Sequence, residues 1–510
     1  MRYPQKSELE NLARGLNFAL TEDELEIMHE RTVKQMESVE RLMSLSHAAS
    51  TAGPGRVEGI SRDWSIPSPT EDPFNAFICK CKISCKTDGP LKSRSIGLKD
   101  TIAVAGVPMS LGSRGLMGYV PEFDASVTQR LLLSGATIAG KLNMYGFSSG
   151  DASGDFGRVL NPEATDRETG GSSSGSAAAV AAGHVDVALG GDQGGSIRIP
   201  ASWCGIVGFK PTYGLVPHTG IFGGDPTVDH VGPMARSVEA IADVMEVLAG
   251  PDGFDARQSG APTPPVDFRQ TLEDGVAGKR IGILRDALAE GDERQAMPVR
   301  TMSEALTAAG AQIIEVSVPL HNAAGDAWLA IWLEGTWYMN QTLLGGAMQK
   351  QWYPETLMQA IGHQANAAGH SLPYNYRQMV LMGAYLHKKF FGTVYARSQN
   401  LRKAVCAAYD EAFRSADALI LPTMGSLPPR FNVGSTYKER VDLTVFGGRG
   451  LDLAEFVRNV APFSYTGHPA ISVPCGHIDG LPVGGQIVGR FFEDALVLRA
   501  ARAVEKWVNG

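Results

Sequence analysis

The sequence predicts an α/β fold in which a large β-sheet core is flanked by helices and preceded by a helical arm. Three observations carry that expectation. Helix-forming stretches and short apolar runs of strand character alternate along the chain, as in residues 130–141 and again from Lys279 to Val316. Residues 7–47 read as two helices. Between Gly170 and Pro200, two serine-bearing glycine turns enclose one helix and one strand, in GGSSSGSAAAVAAGHVDVALGGDQGGSIRIP.

With 510 residues, 44% of them hydrophobic, the chain can bury a large core. A formal net charge of −8 argues against nucleic acid as the main partner. No segment approaches a membrane span, and the opening MRYPQKSELE lacks the apolar core of a secretory signal, so a cytoplasmic location and no membrane partner are expected. Cys79, Cys81 and Cys85 fall close together, but in FICKCKISCK they share one strand face. No second cysteine or histidine cluster answers them, and no metal is expected.

Taken in order, the arm comes first. Thr21-Glu22-Asp23-Glu24 is a capping box that opens its second helix, and the apolar stripe Leu25, Met28, Val33, Met36, Val39 and Leu42 needs a surface to cover it. Residues 48–73, rich in Ala, Gly, Ser and Pro, read as a linker, so residues 1–74 form arm and linker and 75–510 the body. Ile96-Gly97-Leu98 runs into Lys99 at a strand end, and only Lys141 and Lys210 follow before Lys279. Each of these three lysines borders apolar sequence, so local pattern does not choose among them as a buried base. Residues 320–400 are helical in pattern. Trp328 and Trp332, four residues apart there, share one helix face, which suits a core stripe as well as a pocket wall. Residues 417–423 read as a buried strand with a turn.

The stretch 170–200 is where chemistry is expected. Gly170-Gly171 is a turn, Ser172 to Ser174 offer hydroxyls for an N-cap, Ser176–Ala182 is a strong helix former closed by Gly183, and Val185–Leu189 reads as a buried strand. Gly190 to Gly195 then form a flexible turn able to aim several backbone N–H groups at one point, with Ser196 at its end. A serine nucleophile needs this setting, an exposed hydroxyl beside bare amides that steady an oxyanion. Residues 171–175 also match the G-x-S-x-G elbow with Ser173 as nucleophile, but the polar NPEATDRET before them supplies no strand to carry it.

The block continues as ASWCGIVGFKPTYG at 201–214, and with it the sequence resembles the amidase signature family of serine hydrolases over about residues 75–505. The resemblance implies a large mixed β-sheet. It puts a bridging serine in a cis peptide at Ser172, the nucleophile at Ser196 and the base, in an apolar-Lys-Asp context, at Lys99. The backbone amides of Gln193, Gly194 and Gly195, with that of Ser196, become the oxyanion hole, and Ser173, Asp192 and Arg198 supporting residues. In KLNMYGF, Tyr145-Gly146 stand where many members carry two carboxylates, so a less acidic pocket is expected, with Phe147, Ser148, Trp328 and Trp332 as candidate lining and 320–400 as the variable substrate-side region. Gly485 stands where the family usually has a bulky apolar residue and is expected to leave space; His468 has no catalytic counterpart.

The activity so implied is hydrolysis of small aliphatic or aromatic amides to acid and ammonia, without a cofactor, in a homodimer assisted by the arm. The nitrile-pathway amidases look most alike, given the arm and GGDQGGSIRIP. An aryl-acylamide or carbamate hydrolase, an amidotransferase subunit and a silent amidase-like binding protein are the alternatives. The last would be expected to have lost Lys99, Ser172 or Ser196, and all three are present.

Overall fold

The computed structural model describes residues 2–45, 53–85, 87–149, 154–263, 267–289, 291–343, 349–367, 372–431 and 453–510. Contacts divide the chain into residues 1–53 and 54–510. The first unit is a pair of helices, α1 (Lys6–Gly15) and α2 (Glu22–Met43), and Thr21 and Glu24 form the expected capping box, each satisfying the other's backbone N–H. Leu25 is buried within the stripe, while Met28, Val39 and Leu42 are exposed. Among the described residues no helix is long and apolar enough to cross a membrane.

The body is built on twelve strands: β1 (Trp64–Ser65), β2 (Phe77–Ser84), β3 (Ser95–Lys99), β4 (Thr137–Leu142), β5 (Val187–Asp192), β6 (Val207–Lys210), β7 (His230–Ala235), β8 (Arg280–Leu284), β9 (Gln312–Val316), β10 (Ala418–Pro422), β11 (Ala470–Ile478) and β12 (Leu481–Gly489). They form one mixed sheet in the order β1-β2-β4-β3-β5-β7-β6-β11-β12-β10-β8-β9. β3 is parallel to β4 and β5, and β8 to β9 and β10; the remaining neighbours are antiparallel. Both faces of the sheet are covered. In β10, Ala418 and Ile420 pack into one apolar cluster and Leu419 and Leu421 into another, as the two-residue period of a strand requires. The helices that matter for the site are α3 (Ser174–Ala181), α4 (Arg198–Trp203), α5 (His321–Gln341) and α6 (Tyr374–Phe390).

Two expectations shift. The body begins before residue 75, because the second half of the supposed linker is pinned to it: Arg62 makes a two-pronged ion pair with fully buried Asp124, whose Oδ1 also accepts from Ala105 N. Residues 48–52 of that linker, and 344–348 and 368–371 of the variable region, lie outside the described residues. The second shift is in the glycine turn. Gly190, Gly191 and Asp192 are not loop but the end of β5, paired with Gly232, Val231 and His230. Their lack of side chains serves packing: a Cβ on Gly190 would stand 3.0 Å from Ile197 Cγ1 and from Ser173 Oγ.

Candidate active site

β3 and β5 run side by side in the same direction, with Leu98 opposite Leu189. Their carboxyl ends therefore bring Lys99 against the turn that begins at Gln193, the place where ligands gather in such sheets. Of the three lysines left open by local pattern, all fully buried, the structure gives each a different role. Lys141 pairs with Asp100 at 3.1 Å, and Lys210 donates to Pro211 O at 3.0 Å. Lys99 Nζ donates to Ser172 Oγ at 2.7 Å. Burial pulls the Lys99 ammonium down to about 7, against the pull of Asp192 and Asp229. A substantial neutral fraction follows near neutral pH, and in the neutral amine the same contact runs the other way, with Ser172 O–H donating.

Ser172 follows a cis peptide bond at Gly171. Tyr145 closes over this turn, its N–H bonded to Ser172 O at 3.1 Å and its ring where a Cβ on Gly171 would lie. Ser173 is the N-cap of α3, but its hydroxyl does not cap the helix as expected. It donates to Gly191 O at 3.0 Å and accepts from Gly191 N at 3.2 Å, tying the first serine turn to β5. Fully buried and so engaged, Ser173 is not an elbow nucleophile. Ser174 occupies the first position of α3.

The turn carrying Ser196 hangs on one carboxylate. Asp192 Oδ1 accepts from Gly195 N at 2.7 Å and Oδ2 from Ile197 N at 3.2 Å, so the amides on both sides of Ser196 are fixed. Arg198 holds Asp192 in a bidentate pair, Nη2 to Oδ1 at 2.9 Å and Nε to Oδ2 at 3.0 Å, and reaches on to Gln486 and Ser464. Burial alone would raise the Asp192 carboxyl; Arg198 overcomes it and holds the group well below its ordinary range. Gly195 has φ +119°, which a side chain resists, and a Cβ there would also strike Val460.

This corrects the expected oxyanion hole. The Gly195 N–H is taken by Asp192 and Gly195 does not line the pocket, whereas Gln193, Gly194 and Ser196 do, and their N–H groups meet no acceptor among the described residues. Ser196 is partly exposed, on the same pocket wall as Ser172. No hydrogen bond joins the two hydroxyls in this structure, and among the described residues the Ser172 hydroxyl bonds Lys99 alone.

The pocket is mainly apolar. Trp328 and Trp332 of α5 stack at 5.8 Å and 11°, and Trp328 Nε1 donates to Gln193 O at 2.6 Å, so the indole is fastened to the Ser196 turn. Trp203, Phe456, Ile199 and Met379 complete much of the wall. Ser148 lines it as expected. Phe147 does not: it turns into the core and stacks on Tyr376 at 4.6 Å, leaving Tyr145 as the aromatic of that loop on the pocket. Gly485 leaves no space either, because Met302 Sδ and Cys475 Sγ already stand 2.6 and 2.7 Å from where its Cβ would be. His468 is fully buried among Tyr409, Phe413 and Phe491, away from the described pocket lining. Local pattern missed Glu168, Asn375 and Trp203, which reach the pocket from separate parts of the chain and carry no shared motif.

The family model described as Amidase matches residues 80–498. The chain belongs to the amidase signature family. It is 38% identical over 454 residues to an enantioselective amidase of Rhodococcus rhodochrous, covering 87% of this chain and 85% of that one. It is 35% identical to a glutamyl-tRNA(Gln) amidotransferase subunit of Halobacterium salinarum, over 85% of this chain and 100% of that one. Among solved structures it is similar to a bacterial aryl acylamidase of the amidase signature family, with a TM-score of 0.63 and 28% identity over 83% of this chain and 84% of that one. The mixed α/β architecture expected from the resemblance is therefore that of an amidase signature hydrolase.

Proposed function

We propose that this chain is a serine amidohydrolase that cleaves small carboxylic amides to acid and ammonia through an acyl-enzyme on Ser196. The observation that carries the reading is the 2.7 Å contact between buried Lys99 and Ser172, on the wall of the pocket that exposes Ser196. Neutral Lys99 takes a proton from Ser172 as Ser172 takes that of Ser196, whose Oγ attacks the amide carbon. The N–H groups of Gln193, Gly194 and Ser196 are the donors for the resulting oxyanion. The relay reverses to protonate the leaving nitrogen, and water repeats the cycle to release the acid.

Stacked indoles favour an aromatic acyl group over acetamide-sized ones. A zwitterionic amide would bring its carboxylate toward Glu168, the only charged residue among the described pocket lining, which weighs against the amidotransferase reading. The exposed apolar residues Met28, Val39 and Leu42 of the arm support a homodimer, and the six free cysteines support a reducing, cytoplasmic setting.

The test is ammonia release across a panel from acetamide to benzamide and larger arylamides, with acetanilide and an alkyl carbamate included. Hydroxylamine in the assay should yield the hydroxamate, as an acyl-enzyme requires. Because Lys99 must be neutral to accept a proton and its pKa lies at about 7, kcat/KM should fall about tenfold per pH unit below that value and level off above it. Turnover with a flat profile from pH 5 to 8 would remove Lys99 as the base.

A further inference from the structure

One part of the pocket wall is made by two segments locked together, residues 145–149 and the start of α6. A Cβ on Gly146 would stand 2.5 Å from Pro373 Cγ, and Phe147 stacks on Tyr376. Next to these contacts, Ser148 and Asn375 both border the pocket. Phe147 and Ser148 have φ of +51° and +58°, consecutive left-handed residues of a kind that non-glycine side chains avoid unless the surroundings fix them. The strained turn holds Ser148 on the pocket while its neighbour Phe147 is clamped in the core.

Ser148 and Asn375 are 8% and 6% exposed, and neither Ser148 Oγ nor Asn375 Oδ1 meets a hydrogen-bond partner among the described residues. Buried polar atoms are nearly always bonded, so two orphans on one wall of an apolar pocket amount to an unfilled hydrogen-bonding position. Resting on the amidase reading above, we propose that Ser148 and Asn375 select aromatic amides whose acyl portion carries a hydroxyl or amino group. In the orientation seen here Asn375 presents Oδ1, an acceptor, to a donating group. A hydroxyl then donates to Asn375 and accepts from Ser148, whereas a methyl of similar size leaves both unmade, and a methoxy group meets Asn375 only if the amide turns to present Nδ2. The ring itself lies among the indoles of Trp328 and Trp332. A site built to bond a substrate hydroxyl discriminates against the analogue lacking it more strongly than an apolar pocket discriminates on size.

The experiment compares kcat/KM for hydroxy-, amino-, methyl- and methoxy-substituted benzamides and phenylacetamides at each ring position, in wild type, Ser148→Ala and Asn375→Leu. The ratio of hydroxy to methyl is taken within each protein, so that a general loss of activity divides out. In the wild type one ring position should favour hydroxy over methyl by at least about tenfold, and Asn375→Leu should abolish that preference, with Ser148→Ala reducing it. Binding of the same compounds to Ser196→Ala, by quenching of the tryptophan fluorescence, gives a readout without turnover. No hydroxy preference at any position in either readout, a methoxy preference, or a preference retained in Asn375→Leu would overturn the inference. Failure of hydrolysis with Asn375-dependent binding intact would instead remove the amidase reading alone.

Discussion

Ser196→Ala is expected to lower kcat for amide hydrolysis by at least about 10⁴-fold, leaving only what the pocket and oxyanion amides contribute by themselves. The variant should retain its melting temperature within a few degrees, because Ser196 is partly exposed and its hydroxyl bonds no described residue, while the turn is held by Asp192. Lys99→Met should fail to a similar degree, and the double variant should be no worse than the poorer single one, as the proposed single proton path requires. Full additivity of the two losses would mean that Lys99 and Ser196 serve separate steps. The lysine variant carries a second signature. With its pKa lowered from 10.5 to about 7 by burial, Lys99 binds fewer protons in the folded chain than in the unfolded one between those values, so its contribution to stability improves as pH rises across them. At pH 7 the buried amine is therefore a cost, and Lys99→Met should be more resistant to denaturant than the wild type, as at other sites where function opposes stability. Denaturation midpoints at pH 7 and pH 10 test the sign: the advantage of the methionine variant should shrink at the higher pH.

Arg198→Met should give the largest loss of stability. The guanidinium is fully buried and makes four hydrogen bonds, two to Asp192 and one each to Gln486 and Ser464. Removing it strands the Asp192 carboxylate in the interior, and breaking a buried pair in this way costs about 3–5 kcal/mol. The damage should be partly undone in Arg198→Met/Asp192→Asn, which removes the stranded charge, and guanidinium unfolding of the two variants would measure the difference. A loss under about 1 kcal/mol for the single variant would mean that the carboxylate finds other partners or takes up a proton. Asp192 has its own pH signature. Its pKa is held below the ordinary 3.8, so the stability it supplies is present above that value and is lost as the pH falls below it.

Much of the candidate site was legible in local chemistry and family resemblance together. Glycine-rich turns carrying Ser172 and Ser196 stand out because glycine leaves the neighbouring backbone amides uncovered by side chains, and the resemblance chose Lys99 where apolar flanks alone could not separate it from Lys141 and Lys210. The structure separates them by their neighbours: Asp100 lies against Lys141, and Ser172 against Lys99. Gly195 shows the opposite limit. Composition says that its N–H can be free, but only the folded turn shows that Asp192 takes it. Gly485 and Phe147 depart from expectation for a related reason. A missing side chain signals space only if no neighbour fills it, and Met302 and Cys475 do; an aromatic beside a loop signals a wall only if it faces the pocket, and Phe147 faces Tyr376.

By itself, then, the sequence determined the α/β class, the two serine turns, the helical arm with its capping box and the aromatic pair on one helix face, because each depends on residues within a few positions of one another. Which lysine meets a serine, which amides stay free and what walls the pocket were decided only in three dimensions. Those properties depend on strand order and on contacts between Ser148 and Asn375's segments, Arg198 and Gln486, or Trp328 and Gln193, pairs separated by 135 to 288 residues for the last two, and no local period records which distant side chain will arrive.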